Sequence, residues 1–265
     1  MKIVCLKGGL GNQMFEYCRF RDLMESGNDK VYLFYDRRRL KQHNGLRLSD
    51  CFELELPSCS WGIKLVVWGL KICRAVGVLK RLYDDEKPEA VLIDDYSQHR
   101  RFIPNARRYF FFRQFLAALQ SGFVQMIRAV DYPVSVHVRR GDYLHPSNSI
   151  FGLCGVDYFQ QAIAYVRKKR PDARFFFFSD DMEWVRENLW MEDAVYVEHT
   201  ELMPDYVDLY LMTLCRGHII SNSTFSFWGA YLAVDGNGMK IYPRRWFRDP
   251  TWTSPPIFSE EWVGL

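Results

Sequence analysis

The stretch Val134-Ser135-Val136-His137-Val138-Arg139-Arg140-Gly141-Asp142-Tyr143 decides the architecture. Its first five residues read as a β-strand. Strand side chains alternate, so the three valines share one face while Ser135, His137 and Arg139 share the other. Outward from this strand, short apolar runs recur at 174–178, 194–198, 218–220 and 240–242. Helix-patterned segments lie between and beyond them at 157–169, 181–189, 204–216 and 223–234; Pro133 precedes the strand at 134–138 and Pro171 punctuates the approach to the run at 174–178. Strands alternating with helices predict a parallel, doubly wound α/β sheet. The first half follows the same scheme. Residues 2–6 read as a strand, then a Gly-rich loop at 7–13 leads into a helix to about Gly27. Strands at 31–34 and 91–93 and a helical stretch over 113–130 complete it. The chain is therefore expected to form two Rossmann-like, doubly wound domains facing a cleft, residues 1–130 and 131–265.

Composition excludes several classes. The 265 residues are 48% hydrophobic, 16% aromatic and 25% charged, which rules out a disordered chain. With 35 basic and 32 acidic residues the net charge is only +3, so no nucleic-acid partner is expected. No apolar run approaches the roughly 18–20 residues of a spanning helix. The opening Met1-Lys2-Ile3-Val4-Cys5-Leu6 lacks the pattern of a secretory leader. Seven scattered cysteines without a C-x-x-C read as buried hydrophobes in a reducing compartment. A cytoplasmic, globular protein is the expectation.

One segment has two readings. From 61 to 82, Trp61, Leu65, Trp68, Ile72, Val76 and Leu79 recur at helical spacing, while Lys64, Lys71, Arg74 and Arg81 fall elsewhere on the helix. The plain reading packs the apolar stripe on the helix's own domain. The other lays a basic, aromatic helix against an anionic membrane surface as a peripheral contact.

The chemistry collects where strands end. His137 and Arg139 stand at a carboxyl end, where open α/β sheets place their ligand crevice. Arginine offers a charged donor fork suited to phosphate oxygens; a pair with Asp142 across the turn is the structural alternative. Gly217-His218-Ile219-Ile220 runs directly into Ser221-Asn222-Ser223-Thr224-Phe225. Four consecutive small polar residues exceed what a helix cap requires and point to a pyrophosphate or sugar contact. In the N-terminal loop, Gly9 and Gly11 begin like a dinucleotide fingerprint, but Met14 occupies the third glycine position. Asn12 and Gln13 place amides there that suit a sugar or phosphate. Asp180 and Asp181 follow the phenylalanine-rich run at 174–178, as ligands for ribose or guanine donors or as caps of the next helix. No Asp-x-Asp triplet and no metal-spaced cluster occurs, so Arg139 is the cation expected to neutralise a leaving diphosphate.

Three motifs, GGLGNQMF from Gly8, HVRRGDY from His137 and SNSTFSFWGAYL from Ser221, strongly resemble the α-1,2-fucosyltransferases of glycosyltransferase family 11. The run His43-Asn44-Gly45 with Leu48 and Phe52 is also similar. The resemblance implies a GT-B architecture, GDP-fucose as donor, and inverting transfer without a metal or other cofactor, with the nucleotide in the C-terminal half. By motif position, Arg139 would hold the β-phosphate, His137 and Asp208 would lie at the guanine, and Ser221 to Phe225 would hold pyrophosphate and fucose. Gly9, Gly11, Asn12 and Gln13 would approach the donor from the other domain. Asp142 and Glu16 are the candidates for the base. Glu16, Cys18 and Phe227 depart from the family pattern, which puts acceptor fit in doubt more than donor choice. The implied acceptor is a galactose-terminated glycan, lipid-linked in one version. The rivals are an NAD-dependent oxidoreductase and a nucleotide-sugar-binding protein without catalysis.

Overall fold

In the computed structural model the deciding strand, β4 (Tyr132–Val138), is buried along its whole length. The structure describes residues 1–41, 44–84, 87–114, 116, 121–145, 150–198 and 203–265, so the expectation for His43 lies outside the described residues. Around β4 lie β5 (Ala173–Ser179), β6 (Val195–Tyr196), β7 (Gly217–Ile219), β8 (Lys240–Tyr242) and β9 (Val263–Gly264). They form one sheet in the order β6-β5-β4-β7-β8-β9, every pairing parallel. Counted from β4 this is the 3-2-1-4-5-6 order of a doubly wound fold, whose direction reverses between β4 and β7. Helices Val156–Lys169, Met182–Asn188, Tyr206–Thr213 and Thr224–Tyr231 connect or follow these strands as expected.

The central strands are apolar on both faces because both faces are covered. Phe175 and Phe177 pack with Val134, Val136, Phe159 and Val166 in one cluster, while Phe176 and Phe178 are equally buried on the opposite side. A run of four phenylalanines is thus the signature of a parallel strand with helices on both sides.

The N-terminal unit holds a smaller parallel sheet in the order β2-β1-β3, made from β1 (Lys2–Leu6), β2 (Val31–Tyr35) and β3 (Leu92–Ile93). The compact units are Met1–Arg113 and Gln114–Leu265, which moves the boundary from 130/131 to 113/114. Local ties explain the shift: Phe112 bridges Phe52, and Arg113 donates from its backbone to Cys51 and from its side chain to Ser49, so the chain stays with the first unit to Arg113. Within the stretch expected to be helical over 113–130, the described helix is Ser121–Arg128.

The helix expected over 61–82 is also shorter. It runs Trp61–Ala75, capped by the Ser60 hydroxyl on the Ile63 N–H, and stops where Gly77 adopts φ 74°. Its packed face is not the tryptophan stripe. Ile63, Val67 and Leu70 join Ile3, Cys5 and Leu92 in the core, leaving Trp61, Leu65, Trp68 and Ile72 exposed.

Candidate active site

The reversal between β4 and β7 leaves a polar column in an apolar sheet. Ser135 pairs in register with His218, and its hydroxyl meets His218 Nδ1 at 2.8 Å. Two residues on, His137 Nδ1 lies 3.2 Å from the Ser221 hydroxyl. Burial, reinforced by Lys240, pushes the His218 pKa down to about 3, so its imidazole is neutral and structural. His137 is also buried, with its ring 5.6 Å from that of Phe225. The two strand ends are therefore tied together by buried side-chain hydrogen bonds.

Above them stands Arg139, a third exposed. Its Nε donates to Asp142 at 2.9 Å and its Nη1 meets Asp180 at 3.1 Å. Burial opposes the charge, but Asp180 and then Asp142 outweigh it and hold the guanidinium above its usual range. The pair across the turn is thus real, and it is half of a clamp. Asp180 also accepts from the Arg140 backbone N–H at 2.9 Å. Gly141 makes room for this, because a Cβ there would come within 2.8 Å of the Asp180 carboxylate. The bulky sequence around Gly141 gives no hint of that requirement.

Asp181 caps the following helix, one of the two roles its position allows. Its carboxylate accepts from the Trp184 N–H at 3.2 Å and from Arg140 Nε at 3.1 Å, and Arg140 lies 3.9 Å over the Trp184 ring. Arg140 is committed to this support, whereas Arg139 pairs with Asp142 and Asp180.

The serine run divides in the same way. Asn222, expected at the donor, is completely buried and donates to the Gly152 and Trp246 carbonyls, both at 2.7 Å, while accepting from the Cys154 thiol. Its side chain ties three segments together and has no solvent exposure. Ser226, missed in the sequence, shapes the turn by donating to the Ser221 and Ser223 carbonyls. Tyr143, also missed, stacks on Phe151 at 4.7 Å and donates to the Asn222 carbonyl at 3.0 Å, joining the arginine turn to the serine loop. Ser223 stands at the N-cap of Thr224–Tyr231, yet its side chain makes no capping hydrogen bond. That helix start, with Thr224 and Phe225 half-buried, has the polarity to receive an anion. Asp208 is buried in the first turn of Tyr206–Thr213.

The N-terminal loop shows a similar split. Gly9 caps Leu10–Glu25 with open space at its Cβ position, and Gly11 is buried in the first turn. Asn12 is half-buried and accepts from Gln98 at 3.0 Å. Gln13, expected at the donor, is buried and bonded to the Gly8 and Gly45 carbonyls and the Arg47 N–H. It fastens two loops to each other. Glu16, the other base candidate, has no solvent exposure and accepts from the Lys7 N–H at 2.8 Å. Burial pushes its carboxyl pKa well up, against the opposing pull of the Lys7 N–H.

Glu16 therefore makes stability depend on pH. The unfolded chain loses this proton near the ordinary carboxyl pKa of about 4.3, whereas the folded chain keeps it to higher pH. Over that window the folded state binds more protons, so stability falls as pH rises. Glu16→Gln, an isostere of the protonated acid, is expected to raise the melting temperature more at pH 8 than at pH 5. Equal shifts at both pH values would show that Glu16 is ionised in the folded protein.

Fold and site together define a class: a doubly wound α/β protein with its charged turn and helix start at the reversal of strand order. Comparison with known proteins narrows it. The profile of glycosyl transferase family 11 matches residues 110–265. An alpha-1,2-colitosyltransferase of Escherichia coli is 30% identical over 98% of this chain and 97% of its own. A galactoside 2-alpha-L-fucosyltransferase, SEC1 of Bos taurus, is 33% identical over 50% of this chain and 38% of its own. The crystal structure of the NodZ alpha-1,6-fucosyltransferase soaked with GDP-fucose has a TM-score of 0.54 at 14% identity, covering 88% of this chain and 92% of that one. The chain belongs to glycosyl transferase family 11, as the three motifs imply, and its fold is of the GT-B type.

Proposed function

We propose that this protein transfers L-fucose from GDP-β-L-fucose to the 2-hydroxyl of a galactoside, inverting the anomeric carbon and using no metal. The observation that carries the reading is the clamped Arg139 at the carboxyl end of β4, next to the reversal in strand order of the C-terminal sheet, with helix Thr224–Tyr231 starting after the neighbouring strand β7. A diphosphate seated there meets a cation and backbone N–H groups together. Donor binding falls to the C-terminal unit and acceptor recognition to the N-terminal unit.

The chemistry follows from the leaving group. As the C1–O bond to GDP lengthens, negative charge grows on the β-phosphate and positive charge on the sugar ring. Arg139 stabilises the first of these, which lowers the barrier in proportion to the charge developed in the transition state. His137 and Asp208 face the nucleoside, and Ser221, Ser223, Thr224 and Phe225 the pyrophosphate and fucose. The acceptor hydroxyl attacks the opposite face and turns a β-linked donor into an α-linked product. A diphosphate that takes over the guanidinium releases the Asp142 carboxylate to accept the hydroxyl proton. Glu16 is too deeply buried for that role.

In this reading Arg139 and the backbone N–H groups, and no metal ion, neutralise the diphosphate. Activity is expected to survive excess EDTA. Complete loss on chelation, restored by manganese, would reassign the diphosphate to a metal.

The colitosyltransferase relative gives a specific second reading, a donor whose sugar lacks the 3-hydroxyl of fucose. The two readings separate by following GDP release from GDP-fucose and GDP-colitose with β-galactoside acceptors, free and lipid-linked. A site that hydrogen-bonds the 3-hydroxyl disfavours the deoxy sugar strongly, because its buried polar partners are left unpaired. A higher kcat/KM with GDP-fucose supports the fucosyl reading. Preference for GDP-colitose transfers the proposal to that donor, and release without acceptor dependence overturns glycan transfer.

A further inference from the structure

The helix Trp61–Ala75 is apolar on two opposed faces, and its own unit uses one of them. Successive residues turn by about 100°, so Ile63, Val67 and Leu70 form one stripe and Trp61, Leu65, Trp68 and Ile72 another roughly half a turn away. The first stripe is in the core. The second is exposed: Trp61 by 77%, Leu65 by 61%, Trp68 by 67% and Ile72 by 42%. Val76, Val78 and Leu79 extend the exposed apolar surface past the end of the helix. Large aromatic and aliphatic side chains gathered on one exposed strip mark an interaction surface.

Charge identifies the partner. Residues 61–82 contain Lys64, Lys71, Arg74, Lys80 and Arg81 and no acidic residue. Asp94 lies 3.5 Å from both Lys71 and Arg74, which fixes those two against their own unit. Lys64 borders the apolar strip, 5.6 Å from the Trp61 ring centroid, and Lys80 and Arg81 are exposed on the short turn that follows the helix. Beside the helix, a groove of about 720 Å³ is lined by Arg37, Arg38 and Arg39 together with Trp61, Leu65 and Trp68. A basic border around an exposed aromatic strip suits a surface that is apolar beneath and anionic above. Among the described residues no helix is long and apolar enough to cross a membrane, so the contact is with a surface.

We infer that the exposed face of Trp61–Ala75 docks this protein peripherally on a bilayer of anionic lipids, the tryptophans entering the interface while the lysines and arginines meet headgroup phosphates. The idea is independent of the donor or acceptor sugar. Docking would also hold the protein at the surface where a lipid-linked acceptor resides.

Co-sedimentation of the full chain with vesicles tests it. One set is phosphatidylcholine alone and the other contains about one-third phosphatidylglycerol. Binding is expected to the anionic vesicles only, and to be lost in high salt. Trp61→Ala/Trp68→Ala and Lys64→Glu/Arg81→Glu should each weaken partitioning by about tenfold or more. Their melting temperatures and GDP release should match the parent, because these side chains are exposed and lie outside the donor site. Absence of binding at low salt overturns docking. So does undiminished binding by both variants, equal binding to neutral vesicles, or a lipid-free dimer that these substitutions dissociate and that does not bind vesicles.

Discussion

Arg139→Ala is expected to lower turnover by about two to three powers of ten while leaving the melting temperature nearly unchanged. The loss corresponds to about 3–4 kcal/mol of transition-state stabilisation, the scale of a missing oxyanion donor. The fold should tolerate it because the clamp is partly exposed, and ion pairs in that setting contribute little to stability. Arg139→Lys should also be poor, since an ammonium cannot replace a planar fork directed at two oxygens. Steady-state GDP release with each variant checks both claims. A variant with a tenth of normal turnover would remove Arg139 from the leaving-group role.

Asn222→Ala should act in the opposite sense, on the fold first. The amide donates to two carbonyls at 2.7 Å, and its removal leaves those oxygens without their donors. At about 1–3 kcal/mol for each polar group stranded, the expected loss is about 3–5 kcal/mol. For a chain of this size that lowers the melting temperature by about 6–20 °C. Activity measured well below the melt should fall too, because the same amide anchors the loop that carries Ser221 and Ser223. Asn222→Asp should be no better, since a carboxylate has no hydrogen to donate. An Asn222→Ala protein that melts with the parent but binds donor weakly would return this side chain to the crevice.

These two residues mark how far the sequence reaches. The strand runs were legible because a parallel strand covered on both faces must be apolar throughout, as Phe175–Phe178 are. β9 was not, since two residues at the sheet edge carry no period. The stripe in 61–79 is legible as a helix, but of its two readings the one that packs the stripe on its own unit does not hold. Periodicity reports that apolar residues align, and a helix with Ile63, Val67 and Leu70 opposite its tryptophans offers two alignments. At the site, Arg139 stood out because a strand end fixes where its side chain goes. Gln13 and Asn222 did not separate from Asn12 and Ser221, because a small polar residue after a strand serves a ligand or its own loop with the same chemistry. Only the carbonyls opposite each amide distinguish the two uses.

The acids around Arg139 change what donor binding means. Because Asp142 and Asp180 already occupy the guanidinium, an arriving diphosphate replaces one set of anions with another and creates no ion pair from separated charges. Part of the attraction that would hold the nucleotide is cancelled by the carboxylates it displaces. The same two acids stand ready to reclaim the arginine when the sugar has gone. If Arg139 holds the diphosphate as proposed, the clamp would work as an internal competitor, trading tight retention of the nucleotide for rapid clearance of the spent one and keeping the guanidinium oriented between turnovers.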